Sequence, residues 1–164
     1  MPSRIGLGFD SHKLAPGAGL KLGGIEIPCD FHAVGHSDAD VLLHALVDAI
    51  LGAAARGDIG DHFPDTDMQW KGANSRVFVE KAVAVAREAG MAVGNVDCTV
   101  FLEKPKLGPL KRAIEKNIAA MLGVSEKNVS VKAKTRESLG GVGRGEEIAA
   151  QVGIMLHTAQ EEKA

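Results

Sequence analysis

The short patterned segment from Arg4 to Phe9 reads as a strand that ends in Asp10-Ser11-His12. Residues two apart on an extended segment point the same way, so Asp10 and His12 reach one point together. Leu14 to Gly19 reads as a Pro/Gly loop, Leu20 to Ile27 as a hairpin around Gly23-Gly24, and Cys29 to Gly35 as a connector. The next stretch, His36 to Leu51, organises the rest. Ser37, followed by Asp40, supplies a helix start with the Ser37 hydroxyl as the expected cap. From Val41 to Leu51, nine of eleven residues are apolar, and the exceptions are His44 and Asp48. A helix apolar nearly all round is a buried helix. Asp40, His44 and Asp48 fall at i, i+4 and i+8 on one side of it, and buried imidazoles and carboxylates are costly unless partnered. Hydrogen-bond partners, a cation, or both must face that row.

Gly52 to Asp67 is a long segment punctuated by Gly, Asp and Pro, of the kind that forms lids and binding loops. Ser75 to Ala89 has the period of an amphipathic helix with Val79, Ala82, Val83 and Ala86 inward, and Gly90 ends it. Val93 to Phe101 alternates as a strand, which places Cys98 in the core. A loop from Glu103 to Pro109 opens a helix over Leu110 to Leu122. Val129 to Val131 resumes a strand, a glycine-rich segment follows at Gly140, Gly141, Gly143 and Gly145, and Ile148 to Leu156 alternates as a closing strand before a polar tail.

Composition narrows the class without naming it. The 164 residues suit one domain over 1–164, with 45% hydrophobic and 24% charged residues. Aromatic content of 4% and a net charge of −2 argue against nucleic-acid binding. No apolar run approaches the roughly 18 residues of a membrane span, and no secretory signal is evident. Cys29 and Cys98 are too few for a disulfide scaffold or a CxxC zinc site. A cytoplasmic enzyme or binding protein is expected.

The candidate chemistry centres on Asp10, His12 and His44. One Asp and two His supply three N/O ligands and leave a tetrahedral position open, the arrangement of a catalytic zinc. His36 and Ser37 stand at a helix N-terminus, where exposed N–H groups favour an anion, although a cap and a solvated histidine are an equal reading. Asp58 and Asp65 suit hydroxyl recognition or simple turns. Asp58, Asp61, Asp65 and Asp67 lack EF-hand spacing. Lys104 and Lys106 at a strand-to-helix junction could meet a phosphate or a base edge. The glycine-rich segment is neither a Walker A loop nor a dinucleotide fingerprint. A zinc hydrolase and a non-catalytic nucleotide or metal-binding module are both open readings at this point.

Gly8-Phe-Asp-Ser-His12, His36-Ser-Asp-Ala-Asp-Val-Leu-Leu-His-Ala-Leu-Val-Asp48, Gly57-Asp-Ile-Gly60, Phe63-Pro-Asp-Thr-Asp67 and Gly94-Asn-Val-Asp97 resemble, in order and over nearly the whole chain, the 2-C-methyl-D-erythritol 2,4-cyclodiphosphate synthases of non-mevalonate isoprenoid biosynthesis. The resemblance implies an α/β (α+β) subunit with a sheet covered by helices on one side, assembled as a homotrimer with active sites between neighbours. It implies a lyase that cyclises 4-diphosphocytidyl-2-C-methyl-D-erythritol 2-phosphate and releases CMP. By similarity Asp10, His12 and His44 bind Zn2+, and Glu137 supports Mg2+ or Mn2+ on the diphosphate. His36 and Thr135 stabilise the transition state, and Ser37 holds the methylerythritol phosphate. Asp58, Ile59 and Gly60, with Phe63, Pro64, Asp65, Thr66 and Asp67, contact substrate. The cytidine pocket comes from the adjacent subunit's Leu102, Glu103, Lys104, Pro105, Lys106, Leu107 and Gly108 with its Ala133, Lys134 and Thr135, and Arg136 and Arg144 are further substrate contacts.

Asp48 is read as holding a metal ligand in place. Two departures stand out. Lys134-Thr135-Arg136 replaces a frequent Thr-Thr-Thr, and Gly140-Gly-Val-Gly-Arg144 replaces a frequent Gly-Phe-Thr-Gly-Arg. The second lies at an axial cavity that in the family can hold an isoprenoid diphosphate, where Arg144 and Glu146 are kept.

Overall fold

The computed structural model describes residues 2–159. Strands β1 (Ser3–Pro16), β2 (Leu20–Leu22), β3 (Ile25–Ile27) and β4 (Phe31–Ala33) precede helix α1 (Val41–Ala53). Two helices follow, the single turn α2 (Ile59–His62) and the longer α3 (Ser75–Glu88). The chain continues as β5 (Met91–Phe101), α4 (Lys111–Leu122), β6 (Val129–Lys134), the turn α5 (Gly140–Gly143) and β7 (Glu147–Thr158). The five-stranded sheet has the order β4-β1-β7-β5-β6, and β2 and β3 form a separate hairpin. β1 and β5 flank β7 antiparallel, whereas β5 and β6 run parallel and are joined through α4.

All the long helices lie on one face. α1 covers β1 and β7, and α3 and α4 close over β5 and β6. The opposite face is bare: Ile5, Leu7 and Phe9 are 76%, 71% and 61% exposed, although their neighbours Gly6 and Gly8 on the same strand are buried. Those glycines are required by distance. A Cβ on Gly8 would lie 1.8 Å from the Ala45 carbonyl oxygen, and one on Gly6 would lie 1.8 Å from that of Ala49. β1 therefore rests directly on the backbone of α1, a separation that only Gly allows.

The polar row on α1 meets a different partner at each step. Asp40, fully buried, caps α1 by accepting from Leu43 N (3.1 Å), and it also accepts from Gly23 N (2.9 Å) and Gly24 N (2.7 Å) of the β2–β3 turn. Burial pushes its carboxyl above the usual range against the pull of those three N–H donors. Gly23 and Gly24 both have positive φ, 60° and 76°, as the expected hairpin requires. The expected cap at Ser37 is corrected: the helix begins after Asp40, because the buried hairpin N–H groups draw the carboxylate into the capping position.

Other boundaries also shift. β1 continues through the expected Leu14–Gly19 loop to Pro16, and the expected connector contains β4, which pairs with it. Three-residue strands are too short to leave a period in sequence. The long segment after α1 folds into α2 and a 3-10 turn at Met68–Trp70. Cys98 is core as expected, and burial pushes its thiol up to about 12. Among the described residues no helix is long and apolar enough to cross a membrane.

Gly8→Ala is expected to destabilise the protein by about 2–3 kcal/mol in urea unfolding, because the added methyl overpacks a backbone contact. A change within 0.5 kcal/mol, the usual range of an exposed substitution, would contradict direct strand-on-helix seating.

Candidate metal centre and substrate cavity

The strand-on-helix contact brings three side chains to one point. Asp10 Oδ2 is 3.2 Å from His12 Nε2 and 3.0 Å from His44 Nδ1, and the two ring nitrogens are 3.1 Å apart. Asp10 and His12 come from the same side of β1, while His44 comes from α1 and is 9% exposed. Metal bonds of about 2.0–2.1 Å at tetrahedral angles place ligand atoms about 3.3 Å apart. The observed triangle is close to one face of that tetrahedron, and the donor set of one carboxylate and two imidazoles suits Zn2+. Burial would raise the Asp10 carboxyl, but the His12 and His44 rings beside it outweigh that and hold it well below the usual carboxylate range. A cation at the same point would act in the same sense.

The triangle opens into a cavity of about 440 Å³. His36, Ser37, Ile59, Gly60, Phe63, Pro64 and Asp65 share its walls with the three ligands. The site residues expected from the first half of the chain are thus largely brought together. Their roles are more specific than expected. Ser37 Oγ lies 2.9 Å from His44 Nε2. Asp58 caps α2 by accepting from Asp61 N (3.0 Å), and Asp67 caps the following 3-10 turn by accepting from Gln69 N (3.0 Å). His36 Nε2 is 3.4 Å from the Asp67 carbonyl oxygen, so this loop folds over the cavity mouth. Asp48, read as holding a metal ligand, instead accepts from Ile59 N (2.8 Å) and so fixes the start of α2 against α1.

The residues expected from the second half form a different cluster. Leu102 N donates to the Lys134 carbonyl (3.0 Å), and Glu103 accepts from Arg136 N (3.1 Å) and Ser138 N (3.3 Å). The loop after β5, with Leu102, Glu103, Lys104, Pro105, Lys106, Leu107 and Gly108, is therefore tied to Ala133, Lys134, Thr135 and Arg136 at the carboxyl ends of two parallel strands. Thr135 Oγ1 donates to Glu137 Oε1 (3.0 Å). Leu102 and Leu107 are 5% and 3% exposed, so their side chains are closed to a ligand, and both Glu103 oxygens are committed to holding the loop. Arg144 is exposed and paired with Glu146 at 3.0 Å. Asp10 pairs with Ala150, Ala150 with Val100, and Val100 with Ala133. Three strand spacings, about 14 Å, therefore separate the metal triangle from this second cluster, and within one subunit the two do not share a cavity.

Four residues of the site carried no signal in the sequence reading. Phe78 and Trp70 stack around Phe63, with centroids 4.6 Å and 5.3 Å away, and form the apolar wall. The scarcity of aromatics in this chain was the available clue. Ser75 and Asp38 stand behind His44: Ser75 Oγ is 2.9 Å from His44 Nε2 and donates to Asp38 Oδ1.

A family model described as the YgbB family matches residues 3–157. The chain belongs to the YgbB family. The 2-C-methyl-D-erythritol 2,4-cyclodiphosphate synthase of Cupriavidus necator is 54% identical over 156 residues, covering 95% of this chain and 92% of that protein. A bifunctional enzyme IspD/IspF of Erythrobacter litoralis is 55% identical over 151 residues, which are 92% of this chain and 39% of that longer protein. A solved CDP complex of IspF from Plasmodium falciparum superposes with a TM-score of 0.85 at 35% identity, covering 96% of this chain and 97% of that one. The resemblance read in the sequence is thus upheld, and this YgbB-family chain has the fold and the metal-ligand cluster of a metal-dependent synthase.

His44→Ala is expected to abolish stoichiometric Zn2+ binding, with the dissociation constant raised more than about 100-fold. Elemental analysis and competition titration measure it, and a zinc-replete mutant would overturn the ligand set.

Proposed function

We propose that this YgbB-family chain converts 4-diphosphocytidyl-2-C-methyl-D-erythritol 2-phosphate to the 2,4-cyclodiphosphate and CMP. The observation that carries the reading is the three-ligand triangle opening into a cavity walled by His36, Ser37 and the loop from Ile59 to Asp65, in a chain more than half identical to proteins named as this synthase. Asp10, His12 and His44 hold Zn2+, which when bound polarises a phosphoryl oxygen as a Lewis acid.

The chain's own residues supply position and charge. The reaction is intramolecular: an oxygen of the 2-phosphate bonds to the β-phosphorus, the bond from that phosphorus to the bridging oxygen breaks, and CMP leaves with that oxygen. No external nucleophile is needed, so orientation of the two phosphates carries much of the rate. Ser37 and His36, on the cavity wall beside the triangle, bind the phosphate of the methylerythritol end. The segment from Asp58 to Asp67 holds the diol, and the Phe63–Trp70–Phe78 wall excludes water behind it.

The nucleotide half is supplied by a second copy. The loop after β5 and the Ala133–Glu137 segment present backbone groups at parallel strand ends, suited to a cytidine base and its diphosphate, but they lie across the sheet from the metal triangle. A homotrimer in which bare sheet faces pack together brings the cluster of one subunit to the triangle of the next. Exposed Ile5, Leu7 and Phe9 favour such burial. Thr135, whose hydroxyl donates to Glu137, turns that proton to the developing charge once Glu137 supports Mg2+ on the diphosphate.

Incubation of the protein with the linear substrate, Zn2+ and Mg2+ is expected to release one CMP per cyclic diphosphate, read by phosphorus NMR. A linear phosphate product would indicate hydrolysis instead, and no CMP release would reduce the protein to a binding module. Glu137→Ala is expected to raise the Mg2+ concentration for half-maximal activity at least tenfold while zinc content stays at wild-type level. An unchanged Mg2+ titration would remove Glu137 from the magnesium site.

A further inference from the structure

Behind His44 lies a chain of hydrogen bonds whose direction is set by its far end. Asp38 Oδ2 accepts from Ser75 N (3.0 Å), and Oδ1 accepts from Asp40 N (3.3 Å) and from the Ser75 hydroxyl. Lys21 Nζ stands 3.9 Å from the same carboxylate. With two backbone N–H groups, a hydroxyl and an ammonium converging on it, Asp38 accepts and does not donate. The Ser75 proton is therefore committed to Asp38. Ser75 is fully buried, and its oxygen lies 2.9 Å from His44 Nε2, so the only hydrogen bond possible between them runs from Nε2–H to Oγ.

We propose that Asp38 and Ser75 are positioning residues for the metal centre: they fix the proton of His44 on Nε2 and turn the Nδ1 lone pair toward Asp10 and His12. This inference rests on the metal reading above and adds to it the reason for the ring's orientation. Once Nε2 carries the proton, the His44 Nδ1 lone pair and the Asp10 carboxylate oxygen face each other at 3.0 Å, an arrangement that needs a cation, or a proton from His12 3.1–3.2 Å from both, to be stable. The relay thus loads the site for metal. It also leaves Ser37 without a call on its hydroxyl proton from His44, although Ser37 Oγ sits 2.9 Å from the same Nε2. That proton is free to point into the cavity toward an oxyanion.

The relay makes a prediction that simple structural support does not. Asp38→Asn keeps the side-chain shape, but an amide that keeps its oxygen on the Ser75 N–H (3.0 Å), giving up the longer Asp40 N–H contact (3.3 Å), turns its nitrogen to the Ser75 hydroxyl. Donation then reverses, the Ser75 proton turns toward Nε2, and Nδ1 is protonated in competition with metal. Zn2+ competition titration on the full chain is expected to show affinity at least tenfold weaker in both Ser75→Ala and Asp38→Asn. Ser75→Thr, which keeps the hydroxyl, is expected to retain most of the affinity. In zinc-loaded wild type, long-range proton–nitrogen NMR is expected to show His44 protonated at Nε2, with a slowly exchanging proton that exchanges rapidly in Ser75→Ala. Zn2+ affinity within twofold of wild type in both Asp38→Asn and Ser75→Ala, or His44 protonated at Nδ1 in the zinc-loaded protein, overturns the relay. A protein that binds no Zn2+ overturns it together with the metal reading, so the two failures are distinct.

Discussion

The site depends on a contact between two backbones. At Gly8 the strand carrying Asp10 and His12 sits on the Ala45 carbonyl of the helix carrying His44, closer than any side chain would permit. A strand held off by one methyl would separate the Asp10 carboxylate from the His44 ring and open the triangle. The same approach places Gly6 on Ala49, so the register of strand against helix is fixed at two points a helical turn apart. Burial of α1 follows from this, since a helix overlaid directly by the sheet has no wet face on that side. Its polar row then has to be satisfied from outside, and each member holds one further piece: Asp40 the hairpin, His44 the metal ligands, Asp48 the start of the cavity loop.

Much of this was legible in sequence because it is local. Asp10 and His12 share a side by strand period, and a lone His and Asp on an otherwise apolar helix announce buried polar groups that need partners. The sheet, the long helices and the hairpin glycines follow from the same periodicities. What stayed hidden depends on tertiary contacts. Ser75 and Asp38 are 37 positions apart, and in sequence each is indistinguishable from a helix cap or a turn. The choice of Asp40 over Ser37 as cap was decided by the N–H groups of Gly23 and Gly24, which arrive from another element. Asp48 lies on the expected helix, but its partner is Ile59 N and not a metal ligand, because the loop that claims it folds back from eleven residues on. β4 escaped notice because three residues carry no period.

The division between the two clusters explains how a subunit of this size makes a site for a long, multiply charged substrate. The Asp10–His12–His44 triangle and its neighbours His36 and Ser37 occupy one end of the β1–α1 contact. The backbone-rich edge beyond β5 and β6 lies three strands away, held rigid by Glu103 and by the Leu102–Lys134 hydrogen bond. Neither half needs a long loop to reach the other if a neighbouring copy supplies it. The bare apolar face of β1 gives such copies a reason to associate, because burying it removes exposed Ile5, Leu7 and Phe9 from water.

The most direct test of this account is anomalous diffraction at the zinc edge from crystals of the zinc-loaded protein. One peak per subunit is predicted, about 2.0–2.2 Å from Asp10 Oδ2, His12 Nε2 and His44 Nδ1. A peak bound elsewhere, or coordination through His44 Nε2, would contradict it.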